Sequence, residues 1–311
     1  MSKILAGAFP VLPTPFRDDG SIDEADFLSI IDFALESRVD GVVYPGVASE
    51  VDTLSPEERK RQVELLAERI DGRIPIIIGA SDPDPKAAAK HVAQAAEIGA
   101  GAAMVMAPLS LGNDIRAQTA YFKEVAANAG VPIMLQNQPK PIGAGLTPEE
   151  VAAVANAVPE IRYVKEETAP CGQHLTRIKA AANGSLDAIF GGAGGRYVTD
   201  ELARGAAGTM PAAELADIHA QMIHAWQKGD VATTRKLYNV SLPLLNFQAI
   251  FRMHMTKEVL RRRGVIKHTF VRGKGPKFDE GDRKELALLL AEADLPYTNH
   301  KPTEPGPHAK I

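Results

Sequence analysis

The chain has one cysteine, Cys171, in 311 residues, so no disulfide can form within it, and a reducing compartment is the fitting environment. It has no apolar run of transmembrane length, and Met1–Leu5 lacks the apolar segment of a secretory signal. A cytoplasmic protein without a membrane partner is expected. The formal net charge is only −4, which gives no basic footprint for nucleic acid. His91, His174, His219, His224, His254 and His268 show no metal-site spacing, so packing or surface roles are expected for them, and no metal. The glycine-rich stretch Gly191-Gly192-Ala193-Gly194-Gly195 lacks the lysine and hydroxyl residue of a P-loop. Close backbone approach to a ligand is favoured there over a phosphate cradle. What the chain does have is 45% hydrophobic and 24% charged residues, an ordinary globular composition with material for a large core.

Extended apolar runs alternate with helical periodicity from the start to about residue 211. The runs are 8–12, 41–45, 74–79, 102–107, 132–136, 161–167, 187–191 and 208–210. Helical stretches lie between them at 23–37, 56–70, 85–98, 115–129, 148–158, 173–182 and 197–204. Ser55-Pro56-Glu57-Glu58 and Thr147-Pro148-Glu149-Glu150 each offer a hydroxyl cap, a proline in the first turn and acids behind it. Eight such units favour a closed (β/α)8 TIM barrel over an open doubly wound sheet. Further helices are expected at 212–228, 231–245, 247–263 and 280–293. The resulting division is a barrel over 1–228, a C-terminal helical extension over 229–296 and a tail over 297–311. Arg261-Arg262-Arg263 reads as a helix-end cap.

The run Ile161-Arg162-Tyr163-Val164-Lys165-Glu166-Glu167 places a lysine inside a strand. Alternation puts Lys165 and Glu167 on one face and Glu166 on the other. A desolvated lysine gives up its proton more readily and can attack a carbonyl carbon, so Schiff-base chemistry is the sharp reading. A strand-end ion pair is the plain one. In a barrel of this kind the site lies at the C-terminal strand ends. Those ends collect Gly46–Glu50, Gln136-Asn137-Gln138, Lys165 with Glu167, and Gly191–Gly195. Cys171 follows the lysine strand and reads as a small buried or loop thiol. Glu50 reads as a structural hydrogen-bonding group of its turn.

Four ordered motifs at consistent spacing are similar to the dihydrodipicolinate synthase/N-acetylneuraminate lyase superfamily of Schiff-base-forming lyases. They are Pro13-Thr14-Pro15-Phe16 with the acidic turn after it, Gly46–Ser55, Gln136-Asn137-Gln138-Pro139, and Val164-Lys165. The resemblance covers roughly residues 5 to 260. It implies a tetrameric (β/α)8 barrel with a helical extension, Lys165 as the imine-forming residue and a 2-oxo acid as the small-molecule substrate. It implies no cofactor beyond the substrate imine itself.

The departures from the family pattern narrow the reading. The two threonines that help hold a substrate carboxylate are replaced by Val47 and Ala48, which leaves that role to backbone amides and the Ser49 hydroxyl. The family's proton-shuttling tyrosine is replaced by Gln136, and the tyrosine that a neighbouring subunit adds aligns near Ser110. The arginine for a second carboxylate falls near Pro141, which argues against lysine biosynthesis. A glutamine hydrogen-bonds but moves no proton, whereas a carboxyl group can take a C3 proton and then protonate a departing C4 hydroxyl. Glu167 is the candidate for both tasks. The Lys-Glu-Glu strand and the Gly-Gly-Ala-Gly-Gly turn look most like the superfamily's L-2-keto-3-deoxyarabonate dehydratases. The expected site is Lys165, Glu167 and Gln136 for chemistry, with Val47, Ala48, Ser49, Asn137, Gly191 and Gly192 around the substrate. A pyruvate-dependent aldolase and an inactive ligand-binding barrel remain as alternatives.

Overall fold

The first and last strands of this chain are hydrogen-bonded to each other, and that pairing distinguishes a closed barrel from an open sheet. The computed structural model describes residues 4–294. Its strands are β1 (Gly7–Ala8), β2 (Val42–Tyr44), β3 (Ile76–Gly79), β4 (Ala102–Met106), β5 (Ile133–Asn137), β6 (Ile161–Glu166), β7 (Ala188–Gly191) and β8 (Gly208–Thr209). All seven ladders are parallel, in the order β1-β8-β7-β6-β5-β4-β3-β2. Between β1 and the residues leading into β2, Asp40 bonds Ala8 at both its amide and its carboxylate. Eight parallel strands alternating with helices make a (β/α)8 TIM barrel with a C-terminal helical extension. Strands β2 to β7 are almost wholly buried, the pattern of a parallel sheet shielded on both faces.

The helices are α1 (Glu24–Glu36), α2 (Pro56–Ile70), α3 (Pro85–Glu97), α4 (Ile115–Ala126), α5 (Pro148–Ala157), α6 (Cys171–Ala182), α7 (Val198–Ala203), α8 (Ala216–Gln227), α9 (Val231–Phe251), α10 (Met253–Arg262) and α11 (Glu280–Ala293). Ser55 and Thr147 cap α2 and α5 as their sequence pattern implies. Each hydroxyl accepts from the amide three residues on, and each glutamate carboxylate returns a bond to the cap's own amide.

The described residues fall into two compact units. The first holds the residues up to Phe9, Asp40–Tyr44 and Gly72–Pro211, and therefore the whole eight-stranded sheet with α3 to α7. Within it α3 lies against β3 and β4, α6 against β6 and β7, and α7 against β8. The second holds Pro10–Val39, Pro45–Asp71 and the residues from Ala212 onward, hence α1, α2 and α8 to α11. There Arg263 is paired with Asp217 at 2.6 Å and donates to the Glu214 carbonyl, while Arg261 and Arg262 pair with Glu258.

Element boundaries differ from the sequence expectation in two informative places. The expected break near residue 246 lies instead at Arg252, whose φ is +47°. Helix α9 runs on past Pro243 because Leu244, Leu245 and Phe251 are buried, and Phe247 and Phe251 pack against Phe278. The first strand is two residues long rather than five, and Val11 makes only an isolated bridge to Ala212. The expected tail lies outside the described residues.

Candidate active site

Strands β5 and β6 run in register so that Gln136 pairs with Lys165 and Asn137 with Glu166. This pairing sets the side-chain geometry. Lys165 is 4% exposed, and its Nζ lies 3.1 Å from Glu167 Oε1. Glu167 stands one residue past the end of β6, but its amide still donates to the Asn137 carbonyl at 3.1 Å and so keeps the strand's alternation. Gln136 Nε2 donates to the other carboxylate oxygen, Oε2, at 2.9 Å. The Ala193 amide donates to Oε1 at 3.2 Å. Three contacts from three strand ends, one of them from a buried amine, therefore converge on one buried carboxyl. Burying either charge alone would cost several kcal/mol, on the order of 3–5, and the pairing offsets much of that.

The glycines at the end of β7, Gly191 and Gly192, make room for carboxyl groups. A Cβ on Gly192 would stand 2.3 Å from Glu167 Cγ, so no side chain fits there without displacing the acid. A Cβ on Gly191 would stand 1.9 Å from Glu201 Oε2. The turn that follows has positive φ at Ala193, Gly194 and Gly195, and it aims the Ala193 amide at Glu167.

Asn137 faces away from this triangle. Its side chain bonds both backbone groups of Leu146 and donates to Glu166 Oε2 at 2.8 Å. Its amide is therefore engaged in tying the loop after β5 to the outward face of β6. Glu166 also accepts from the amide of Thr168 at 2.6 Å and from its hydroxyl. Burial outweighs these bonds and pushes the Glu166 carboxyl up to about 7. Glu201, on α7, is buried, and neither of its carboxyl oxygens has a hydrogen-bond partner among the described residues. Burial, with the charges of Glu167, Asp200 and Glu166 nearby, pushes it up to about 8. Cys171 is a buried free thiol that burial holds at about 12, so it is protonated. Lys140 bonds the Asn113 side chain at 3.2 Å in exposed surroundings.

In the second unit, Val47, Ala48 and Ser49 form one 3-10 turn whose own groups fix its shape. The Ser49 hydroxyl accepts from the Gly46 amide and donates to the Leu12 carbonyl, and Thr14 donates to the Ser49 carbonyl. The amides of Ser49 and Glu50 are engaged inside the turn. Glu50, at φ +57°, accepts from Lys257 Nζ at 2.5 Å and from the Gly273 amide at 2.8 Å. Lys257 also lies over the Phe16 ring at 4.3 Å.

Three residues of the site's surroundings carried little sequence signal. Glu166 was legible only as facing away from Lys165, and His174 only as a helix residue. Glu201 had one usable clue, since it shares a helical stripe with Val198 and Leu202, both buried.

The chain is similar to known proteins over most of its length. Residues 4–293 match the Dihydrodipicolinate synthetase family. A 4-hydroxy-tetrahydrodipicolinate synthase of Maridesulfovibrio salexigens is 31% identical over 240 residues, covering 76% of this chain and 81% of that protein. An L-2-keto-3-deoxyarabonate dehydratase of Azospirillum brasilense is 26% identical over 293 residues, covering 93% and 94%. The crystal structure of a dihydrodipicolinate synthase from Rhodopseudomonas palustris superposes with a TM-score of 0.85 at 26% identity, covering 93% of this chain and 97% of that one. The match over residues 4–293, nearly the whole described chain, makes this a lyase of the dihydrodipicolinate synthetase family.

Proposed function

We propose that this lyase is a Schiff-base-forming hydro-lyase that dehydrates a 2-keto-3-deoxy sugar acid, specifically L-2-keto-3-deoxyarabonate to 2-oxoglutarate semialdehyde. The observation that carries the reading is the triangle of Lys165, Glu167 and Gln136. Amine and carboxyl lie 3.1 Å apart, and a side chain that moves no proton occupies the place where the family resemblance expects a tyrosine. All proton work at the substrate then falls to Glu167.

Lys165 passes a proton to Glu167 Oε1 and attacks the C2 ketone; Glu167 returns that proton to the carbinolamine hydroxyl, which leaves as water and gives an iminium. The positive nitrogen acidifies the C3 protons, and Glu167 removes one to give an enamine. The protonated Glu167 then donates to the C4 hydroxyl, which leaves as water. Hydrolysis releases Lys165; a proton moving from C5 to C3 then gives an enol at C4–C5, and its tautomerisation gives the aldehyde. The net change is loss of one water, so no oxidant, metal or cofactor is called on; the iminium is the electron sink.

Gln136 and the Ala193 amide orient the Glu167 carboxyl through both steps. Gly191 and Gly192 are expected from sequence to lie beside the substrate, but the spaces left by their missing side chains hold Glu201 and Glu167, so their proposed part is to seat those acids. By the family resemblance the substrate carboxylate belongs to the turn at Val47, Ala48 and Ser49. The Ser49 hydroxyl and the Ser49 and Glu50 amides are already engaged, so the Val47 and Ala48 amides are its proposed donors. Asn137 acts through Glu166 and the loop at Leu146 rather than by touching substrate. The working form is proposed to be a cytoplasmic homotetramer.

A pyruvate-dependent synthase or aldolase is the second reading, favoured by the 31% identity to a 4-hydroxy-tetrahydrodipicolinate synthase. Intact-protein mass after borohydride reduction decides between them. With L-2-keto-3-deoxyarabonate, an adduct of the whole or dehydrated five-carbon acid on Lys165 supports the dehydratase. A three-carbon adduct supports the aldolase. No adduct with this compound or with pyruvate removes both.

A further inference from the structure

The face of β6 opposite Lys165 carries a connected set of proton-bearing groups that the proposed reaction leaves unused. Glu166 is 1% exposed. Thr168 Oγ1 donates to its Oε1 and stands 2.7 Å from His174 Nδ1. His174 Nδ1 itself is 3.9 Å from Glu166 Oε1, and its side chain is 16% exposed. The hydroxyl thus bridges a fully buried carboxyl and an imidazole that reaches solvent. A hydroxyl has one hydrogen, and here it can point to either neighbour.

We propose that His174, Thr168 and Glu166 form a proton relay that sets the charge directly behind Lys165 and Glu167, which makes Glu166 a positioning residue for the reaction. The relay rests on the reading of Glu167 as acid and base. In one state Glu166 is ionised, Thr168 donates to it, and His174 Nδ1–H donates to Thr168. To reach the other, a proton from water enters at His174 Nε2 and the Nδ1 proton passes to Thr168 Oγ1. The former Thr168 proton passes to Glu166 Oε1. Glu166 then donates to Thr168, Thr168 donates to His174 Nδ1, and the imidazole ends neutral as the other tautomer. One proton has moved from solvent to the buried carboxyl, with no bond left unbalanced.

The surroundings make Glu166 a titrating member near neutral pH. Burial pushes it up to about 7, against the bonds from Asn137 and Thr168, and the Glu167 charge acts in the same direction as burial. The other groups facing it are Cys171 and His174 on α6 and Glu201 on α7. Cys171 stays protonated. His174 is held below its ordinary value by burial and by Arg177, with Glu149 on α5 acting the other way, so it is neutral as the relay requires. Like charges oppose each other, so a protonated Glu166 favours the anionic Glu167 that takes the C3 proton, and an ionised Glu166 disfavours it.

Infrared titration of the full chain without substrate tests the relay independently of any activity. A protonated-carboxyl C=O band that is absent in Glu166→Gln is expected to titrate near pH 7 in the unaltered protein. Thr168→Val removes a donor to the ionised form and should raise that midpoint by on the order of one unit, a tenfold change. Thr168→Ser should restore it. An unmoved midpoint in Thr168→Val overturns the relay. In the dehydration rate, a decline through the same pH range should be lost in Glu166→Gln and displaced upward in Thr168→Val. A decline unchanged in both variants overturns the positioning role. Failure of borohydride to trap an imine in the unaltered protein would remove the proposed function instead, with the infrared midpoints still deciding the relay.

Discussion

Replacing Glu201 by glutamine should stabilise the protein at alkaline pH and destabilise it at acid pH. Glu201 is buried against Gly191, and neither carboxyl oxygen has a hydrogen-bond partner among the described residues. Its carboxyl sits at about 8, against 4.5 for an ordinary glutamate, chiefly because burial disfavours the charge. The folded chain therefore keeps a proton that the unfolded chain releases, and stability declines as pH rises from about 4.5 until it levels off above about 8. The gap is three to four units at about 1.4 kcal/mol each, so the loss by pH 9 is on the order of 5 kcal/mol. Glutamine has no such ionisation but brings an amide with no partner, at a cost of about 1–3 kcal/mol at every pH. The variant should therefore melt several degrees below the unaltered protein at pH 5 and several degrees above it at pH 9, with the curves crossing between. Thermal midpoints at fixed protein concentration across that range make the comparison, since the family's oligomers tie stability to concentration. A difference of one sign and constant size from pH 5 to pH 9 would show that the Glu201 carboxyl is not held protonated by the fold.

Four further outcomes follow from the same geometry. Lys165→Arg keeps a cation beside Glu167 but should give no borohydride-trapped adduct with L-2-keto-3-deoxyarabonate or with pyruvate. Glu167→Gln should still be trapped as the imine, though more slowly, while dehydration falls by roughly 10²–10⁴-fold; complete loss of trapping on prolonged reduction would refute this division of roles. Gly192→Ala sets a methyl 2.3 Å from Glu167 Cγ, and should lower the rate constant with destabilisation of about 1–3 kcal/mol. Lys257→Met leaves Glu50 buried without its cation and should cost about 3–5 kcal/mol in denaturant unfolding, and Glu50→Gln in the same chain should recover part of it.

The fold was legible because its signals are local and repeated. Ser55 and Thr147 announce their helices through residues within one turn, and eight apolar runs at barrel spacing leave few other topologies. The Lys165–Glu167 contact was legible because strand alternation alone puts the two side chains on one face. The outward chemistry of β6 was not. Nothing local to Asn137 distinguishes a substrate contact from a bond to Glu166, because register with a neighbouring strand decides it. Glu201 is more distant still, since its burial depends on Gly191 ten residues earlier lacking a side chain. The end of α9 was misplaced for a similar reason: Phe278, 31 and 27 residues away in sequence, packs on Phe247 and Phe251 and holds them in one continuous helix.

The two glycines at the end of β7 bear on why acids gather at this end of the sheet. Gly191 pairs with Glu166 across β6 and β7, and its missing Cβ admits Glu201 from α7. Gly192, one residue on, has its missing Cβ turned to Glu167, on the opposite side. Consecutive positions without side chains thus admit an acid on each face of the same strand end, where alternating ordinary residues would have filled both spaces with apolar atoms. On the proposed reading the inward acid does the chemistry, and the outward pair, Glu166 and Glu201, sets the charge it works against. Substitution at the two glycines should accordingly separate. Gly192→Ala should strike turnover at every pH and, by moving the Glu167 charge, also shift the Glu166 infrared midpoint from near 7. Gly191→Ala should displace Glu201 and shift that midpoint, since the Glu166 and Glu201 charges act on each other. If Gly191→Ala lowered turnover at every pH as Gly192→Ala does, rather than altering its pH dependence, the assignment of separate roles to the two acids would fail.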